Sequence, residues 1–427
     1  MENVLPRFER PLKSTSEPEV NNDYWDKAVD AFDEKEYRTS ILSVINYLNE
    51  KVLEGVDTSS DINITQMQGS AEINIKITDD SFSIKVPFLK ITEKTNEVAL
   101  LRKVAEVNFS QLDIEQIKLK DKELFFSYEC PLSMCQPNKM FSLIRNVCFR
   151  SDELDDEFIE NYGAEFYKEP KTTKLTQEEQ EIAWKQISNI FEDYEGLHDL
   201  FREKRWNDWQ WDAILISLLK LSNMPYLQGL LRSELIENIE ALYNNKVDFQ
   251  TRVDRGTNYI KTLIAKDKSE FIDSLYHADQ FVSLLWRSSE EIIEEKCENI
   301  QETVDDYEEN EKHFNQSYYL QGIFLKMLYN YNLEDSYKNA IYKTLEEVSG
   351  LSPDEAAPKL HKLYDDMNHC RINDEDEDDG IEMSELMSEA KKTISEVEGI
   401  MSKLIYKSAA SLVFAIATSY AAYKYLF

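Results

Sequence analysis

Two hydrophobic rhythms run along the first part of the chain. Ala28, Phe32, Ile41, Val44, Ile45, Leu48, Val52 and Leu53 recur at the three-to-four spacing of a helix with one face in a core. Asp23 stands where a cap is expected and Gly55 where the chain must leave, so the spacing predicts one long or once-broken helix. The period then falls to two. Ile62 and Ile64, then Ile73, Ile75 and Ile77, then Phe82, Ile84 and Val86 alternate with polar residues around a turn at Asp79-Asp80, as strands with one buried face do. Val98, Leu101, Val104 and Ala105 return to helical spacing over residues 95–108. Strands are expected at 114–120 and 123–129; on the second, Leu124, Phe126 and Tyr128 share a face and Phe125 points the other way. Pro137-Asn138 opens a helix carrying Met140, Phe141, Ile144, Val147 and Cys148, and an acidic helix continues to about residue 166.

A linker at 167–175 precedes Thr176 and Glu179, which have capping-box spacing. From 176 to 368 the periodicity predicts helix after helix, with no convincing strand. Ile182, Trp184, Ile187, Ile190 and Phe191 mark the first. Segments 211–221, 227–242, 259–263, 271–285, 292–300, 318–331 and 337–348 follow, with breaks at Gly196, Pro225, Gly256, Gly350 and Pro353. No fixed repeat length emerges. The fold class expected is therefore an α+β domain over residues 23–166 (helix, antiparallel sheet, helices), able to fold alone. An irregular all-helical domain over 176–368 follows it. Residues 1–22, polar and without period, are expected to form a loose tail.

Composition sharpens this. A chain of 427 residues with only 10 Gly and 10 Pro suits long helices rather than many short strands. A net charge of −34 excludes sequence-independent binding to nucleic acid, which depends on Lys and Arg neutralising phosphates. The five cysteines (Cys130, Cys135, Cys148, Cys297 and Cys370) are odd in number and scattered, which reads as reduced thiols in a cytosolic protein. The N-terminus lacks the apolar core of a signal peptide.

Residues 23–166 resemble the type III secretion chaperone-like domain and its YbjN-type bacterial relatives. The resemblance rests on the helix around DYWDKAVDAFDEKEY, the strand pair INIKITDDSFSIKV, the helix ending LLRKVAEVN, the hairpin IKLKDKELFFSYECPL and the closing helix MFSLIRNVCFRSDELDDEF. It implies a small α+β domain whose curved sheet and flanking helices hold partner segments, often as a dimer, and it brings no catalytic residue.

The chemistry-bearing motifs give little else. In the acidic run 373–380, Glu375, Glu377, Asp379 and Gly380 fit the first half of a calcium loop, but Leu386 falls where the bidentate Glu is required. Cys130, Cys135 and the pair His369-Cys370 do not make a four-ligand zinc set, because His198, His277, His313 and His361 stand singly in helical patterns. No nucleophile elbow or phosphate loop is present, so neither catalysis nor a cofactor is expected. Trp206, Trp209 and Trp211 read as core on different sides of a helix, or as partner anchors.

After the acidic linker at 369–380 comes a helix from 381, ending in an uncharged segment, 408–423, between Lys407 and Lys424. Sixteen residues reach about 24 Å, short of the ~30 Å hydrocarbon core, so this segment either contacts a membrane or docks as a helix with a small-residue stripe. Leu412, Val413, Phe414, Ile416 and Tyr420 would make either contact. The sequence thus points to a non-enzymatic, cytoplasmic protein-binding protein, chaperone-like or a regulatory adaptor. Phe125, Phe126 and Tyr128 are its candidate partner contacts, with another protein or a second copy as partner. The alternative is a membrane-associated scaffold held by residues 408–427.

Overall fold

The computed structural model describes residues 5, 7–11, 18, 21–283 and 285–372. The first helical stretch is broken once. α1 (Asn22–Asp33) begins at Asn21, whose side chain accepts from the amide of Asp23, so the cap lies two residues ahead of the expected one. Lys35, at φ 66°, turns the chain into α2 (Tyr37–Leu48), and Gly55 at φ 72° follows a short 3-10 turn as predicted. An antiparallel sheet of β1 (Ile62–Gln68), β2 (Ala71–Ile77), β3 (Ser81–Lys90), β4 (Gln116–Lys120) and β5 (Glu123–Pro131) is ordered β1-β2-β3-β5-β4. Between β3 and β4 lies α3 (Glu97–Ser110). After β5, α4 (Pro137–Tyr162) runs unbroken to Gly163, which takes φ 68° where a Cβ would stand 3.0 Å from the Lys94 carbonyl oxygen. A short β6 (Glu165–Phe166) then pairs with the far end of β3.

The period-two pattern sets the register. Ile75 pairs with Ile84 and Ile84 with Tyr128, while Val86 pairs with Phe126 and Phe126 with Ile117. Alternation therefore collects Ile73, Ile75, Ile77, Phe82, Ile84, Val86, Leu124 and Phe126 on one buried face, packed with Leu143, Ile144 and Val147 of α4. The other face keeps its polar residues in solvent.

The rest of the described chain is mostly helical: α5 (Gln177–Lys204), α6 (Asn207–Ser222), α7 (Gly229–Tyr243), α8 (Phe249–Ile264), α9 (Lys268–Asp273), α10 (Glu290–Glu298), α11 (Gln301–Glu309), α12 (His313–Asn330), α13 (Asp335–Val348) and α14 (Pro353–Asn368). α6 is the central helix, in contact with α5, α7, α8 and α12 and apolar almost all round. Thr176 and Glu179 form the predicted capping box of α5. Gly196 and Gly256, expected as breaks, lie inside α5 and α8. Gly256 marks a close approach instead: a Cβ there would sit 2.8 Å from Ile214 Cγ2.

Two further departures have one physical cause, a distant core that needs filling. The expected helix over 271–285 ends at Asp273, and the chain extends so that Phe281 and Val282 enter the core beneath the sheet. There the buried Gln68 side chain accepts from the amides of Phe281 (3.0 Å) and Val282 (2.9 Å). Asn49 donates to the Phe281 carbonyl and the Gly69 amide to that of Asp279. At the N-terminus, where a loose tail is expected, Leu5 and Phe8 are buried. The Leu5 amide donates to the Leu351 carbonyl (3.0 Å), the Phe8 amide to Ser349 Oγ (2.8 Å), and Arg10 pairs with Glu346. Short extended pairs also occur in the helical part, 286–287 with 331–332 and 173–174 with 276–277. The described residues up to His369 form one compact unit.

Among the described residues no helix is long and apolar enough to cross a membrane. Residues 373–427, with Leu412, Val413, Phe414, Ile416 and Tyr420, lie outside the described residues.

Candidate functional site

α3 carries two apolar stripes on opposite sides. Leu100, Val104 and Val107 are buried in the core. Val98, Ala105 and Phe109, at i, i+7 and i+11, face solvent, with Val98 64% and Phe109 92% exposed. The sequence pattern Val98, Leu101, Val104, Ala105 mixes these two faces, and that is why the exposed one escapes notice. The alternation of 100, 104 and 107 against 98, 105 and 109 is the signal that separates them.

Both ends of α3 are fastened. Asn96 caps it by accepting from the Ala99 amide (3.3 Å), and its own amide donates to the Tyr162 carbonyl (2.8 Å). Near the other end, Asn108 Nδ2 donates to the Ile117 carbonyl (2.9 Å) and Asn108 Oδ1 accepts from the Ile117 amide (2.8 Å). The side-chain amide thus stands in for a neighbouring strand at the edge of β4, and an edge otherwise open to pairing is partly closed. The same bonds lay the last turn of α3 along β4, where Ile114 and Leu119 are exposed beside Lys118 and Lys120.

The open sheet face adjoins this edge. Phe125 is half-buried, opposite Lys118 in register, with Lys85 Nζ 4.5 Å from its ring centre. Lys85, Lys118 and Lys120 lie on this face in a chain of net charge −34, with Glu123 opposite Lys120 in register and Glu129 towards the other end of β5. Lys122 is engaged by Glu97 at 2.6 Å.

The three sequence candidates part company here. Phe125 lies on the open face. Phe126 is fully buried, packed edge-on against Phe88 at 5.0 Å, and has no surface to offer a partner. Tyr128 is half-buried at the margin of the core with Lys139 Nζ 5.2 Å from its ring; burial pushes its hydroxyl pKa up, against the opposing pull of Lys139. Trp206 and Trp209 touch each other at 4.9 Å, because Trp206 precedes α6 rather than belonging to it, and Trp209 packs on Phe201 and Tyr318. Trp211 turns away and donates to the Leu242 carbonyl. The histidines stay apart: His277 meets Glu179, His313 meets Asp354, and His361 meets Gln316. Cys130 and Cys135, by contrast, come together.

No family model matches the chain, and no curated protein matches it.

Proposed function

We propose that the chain binds another protein, holding an acidic segment of it along α3 and the adjoining edge of the sheet. The role is that of a chaperone-like or regulatory adaptor, without a chemical step. The observation that carries this reading is the exposure of Phe109 in line with Val98 and Ala105 on a helix pinned at both ends. A phenyl ring held almost wholly in water on a well-anchored helix is a standing cost, relieved when a partner covers it. Charge selects the partner's chemistry. A net charge of −34 repels an acidic segment over most of the surface, so Lys85, Lys118 and Lys120 fix where such a segment can settle.

The test is co-purification with Val98→Asp and Phe109→Asp in the full chain. Both side chains are exposed, so the melting temperature should hold while the partner is lost. Lys118→Glu with Lys120→Glu should lose it too. A partner retained by both variants would remove α3 and the β4 edge as the binding surface.

A further inference from the structure

Past the aromatic part of β5, two thiols face each other. Cys130 is the penultimate residue of β5, opposite Phe82. Pro131 and a 3-10 turn at Leu132–Met134 fold the chain back, with the Cys135 amide donating to the Leu132 carbonyl (2.9 Å). This places Cys135 Sγ 3.6 Å from Cys130 Sγ. A disulfide needs about 2.05 Å, so the sulfurs are about 1.5 Å from bonding distance. Cys130 is 6% exposed and Cys135 0%. Lys139 donates to the Met134 carbonyl (3.0 Å), which keeps its ammonium beside the pair, and the Tyr128 hydroxyl faces Cys130.

We propose that Cys130 and Cys135 are an oxidative modification site, whose oxidising substrate is a small hydroperoxide and whose product is an intramolecular disulfide. Cys130 is the attacking sulfur, since it alone of the two has any exposure. Its thiol yields a proton to water, and the thiolate sulfur bonds to one peroxide oxygen. The O–O bond breaks, and the departing oxygen takes up a proton and leaves as water or alcohol. Cys130 is now a sulfenic acid, oxidised by two electrons, and the peroxide is reduced by two. Cys135 sulfur then bonds to Cys130 sulfur, the S–O bond breaks, and hydroxide leaves with the Cys135 proton as water. Burial holds the Cys135 thiol protonated, in keeping with its role as the second, resolving sulfur. The disulfide would tie the end of β5 to the entry of α4.

The experiment exposes the full chain to hydrogen peroxide under native conditions, then unfolds, alkylates and digests it with trypsin. Both sulfurs fall in one peptide, residues 123–139. The expected result is that this peptide loses two hydrogens and resists alkylation until reduced, while Cys148 and Cys297 are alkylated. In Cys135→Ala the sulfenic acid persists on Cys130 and is trapped by dimedone. Full alkylation of the wild-type peptide after peroxide, sulfinic acid at either position without a disulfide, or a disulfide between chains would each overturn the proposal, and these wild-type readouts stand whether or not the variant folds.

Discussion

The guanidinium of Arg145 lies 4.0 Å from the centre of the Trp286 ring. Arg145 belongs to α4 and is buried, while Trp286 reaches over it from the helical part; the neighbouring Arg287 returns the contact, 4.5 Å from the Trp25 ring of α1. Burial, and secondarily Arg150, lowers the Arg145 pKa to about 10, so the indole face covers a cation already short of solvent. Trp286→Ala should cost about 1–2 kcal/mol, and Trp286→Phe should recover part of it. Urea unfolding checks this, and an unchanged midpoint would make the pair incidental.

Gln68 joins the same two parts from inside. Its carbonyl oxygen accepts from both the Phe281 and Val282 amides, so Gln68→Leu leaves two buried donors unsatisfied at about 1–3 kcal/mol each. Hydrogen exchange at those two amides should accelerate selectively. The fragment 23–166, which the sequence expects to fold alone, lacks Phe281 and Val282. It should unfold at lower denaturant than the full chain.

Gly256→Ala sets two effects against each other. Alanine improves helix propensity by about 1 kcal/mol, but a Cβ 2.8 Å from Ile214 Cγ2 forces α8 away from α6 at about 1–3 kcal/mol, so the net effect is destabilising. In an Ile214→Ala background the penalty should shrink to what the remaining contact with Leu242 Cδ2, 3.1 Å from the added Cβ, imposes. A stabilised Gly256→Ala single variant would contradict the close contact.

Gly256 also shows where the sequence stops being legible. Glycine reads as a break because its local propensity is known and its tertiary neighbour is not. The strands at 73–77 and 82–86 are legible because a period of two is local and their pairing follows a short turn. Phe281 and Val282 are not, since an apolar pair gives no sign that its core lies more than two hundred residues back at Gln68. Alternation alone places Phe125 on the open face. The α3 surface is missed when Val98 and Ala105 are read with Leu101 and Val104 as one helical spacing, and it becomes legible only when 100, 104 and 107 are set apart as a second stripe.

Stability should fall as pH rises through neutrality. Burial pushes the Glu153 carboxyl up to about 7, against the attraction of Arg150 and with Glu240 and Glu237 adding repulsion. The folded chain therefore holds this proton more tightly than the unfolded chain, where a Glu titrates near ~4.3. The stabilisation is full below that lower value and is lost as pH rises through about 7, at roughly 1.4 kcal/mol for each pH unit that separates the folded and unfolded pKa. The buried Asp155, also raised by burial first and by Asp152 and Asp156 next, acts in the same direction. Thermal midpoints at about pH 5.5 should exceed those at about pH 8.5, and Glu153→Gln should flatten the difference. A midpoint that rises over this range would contradict the assignment.

The most direct test of the binding role is a photo-crosslinking residue in place of Phe109, in the full chain, in the cells from which the protein comes. The predicted result is an adduct to a segment rich in Asp and Glu on a different protein, weakened by added salt and abolished by Lys118→Glu with Lys120→Glu. Adducts only to a second copy of this chain, or none at all from a side chain that is 92% exposed, would contradict it.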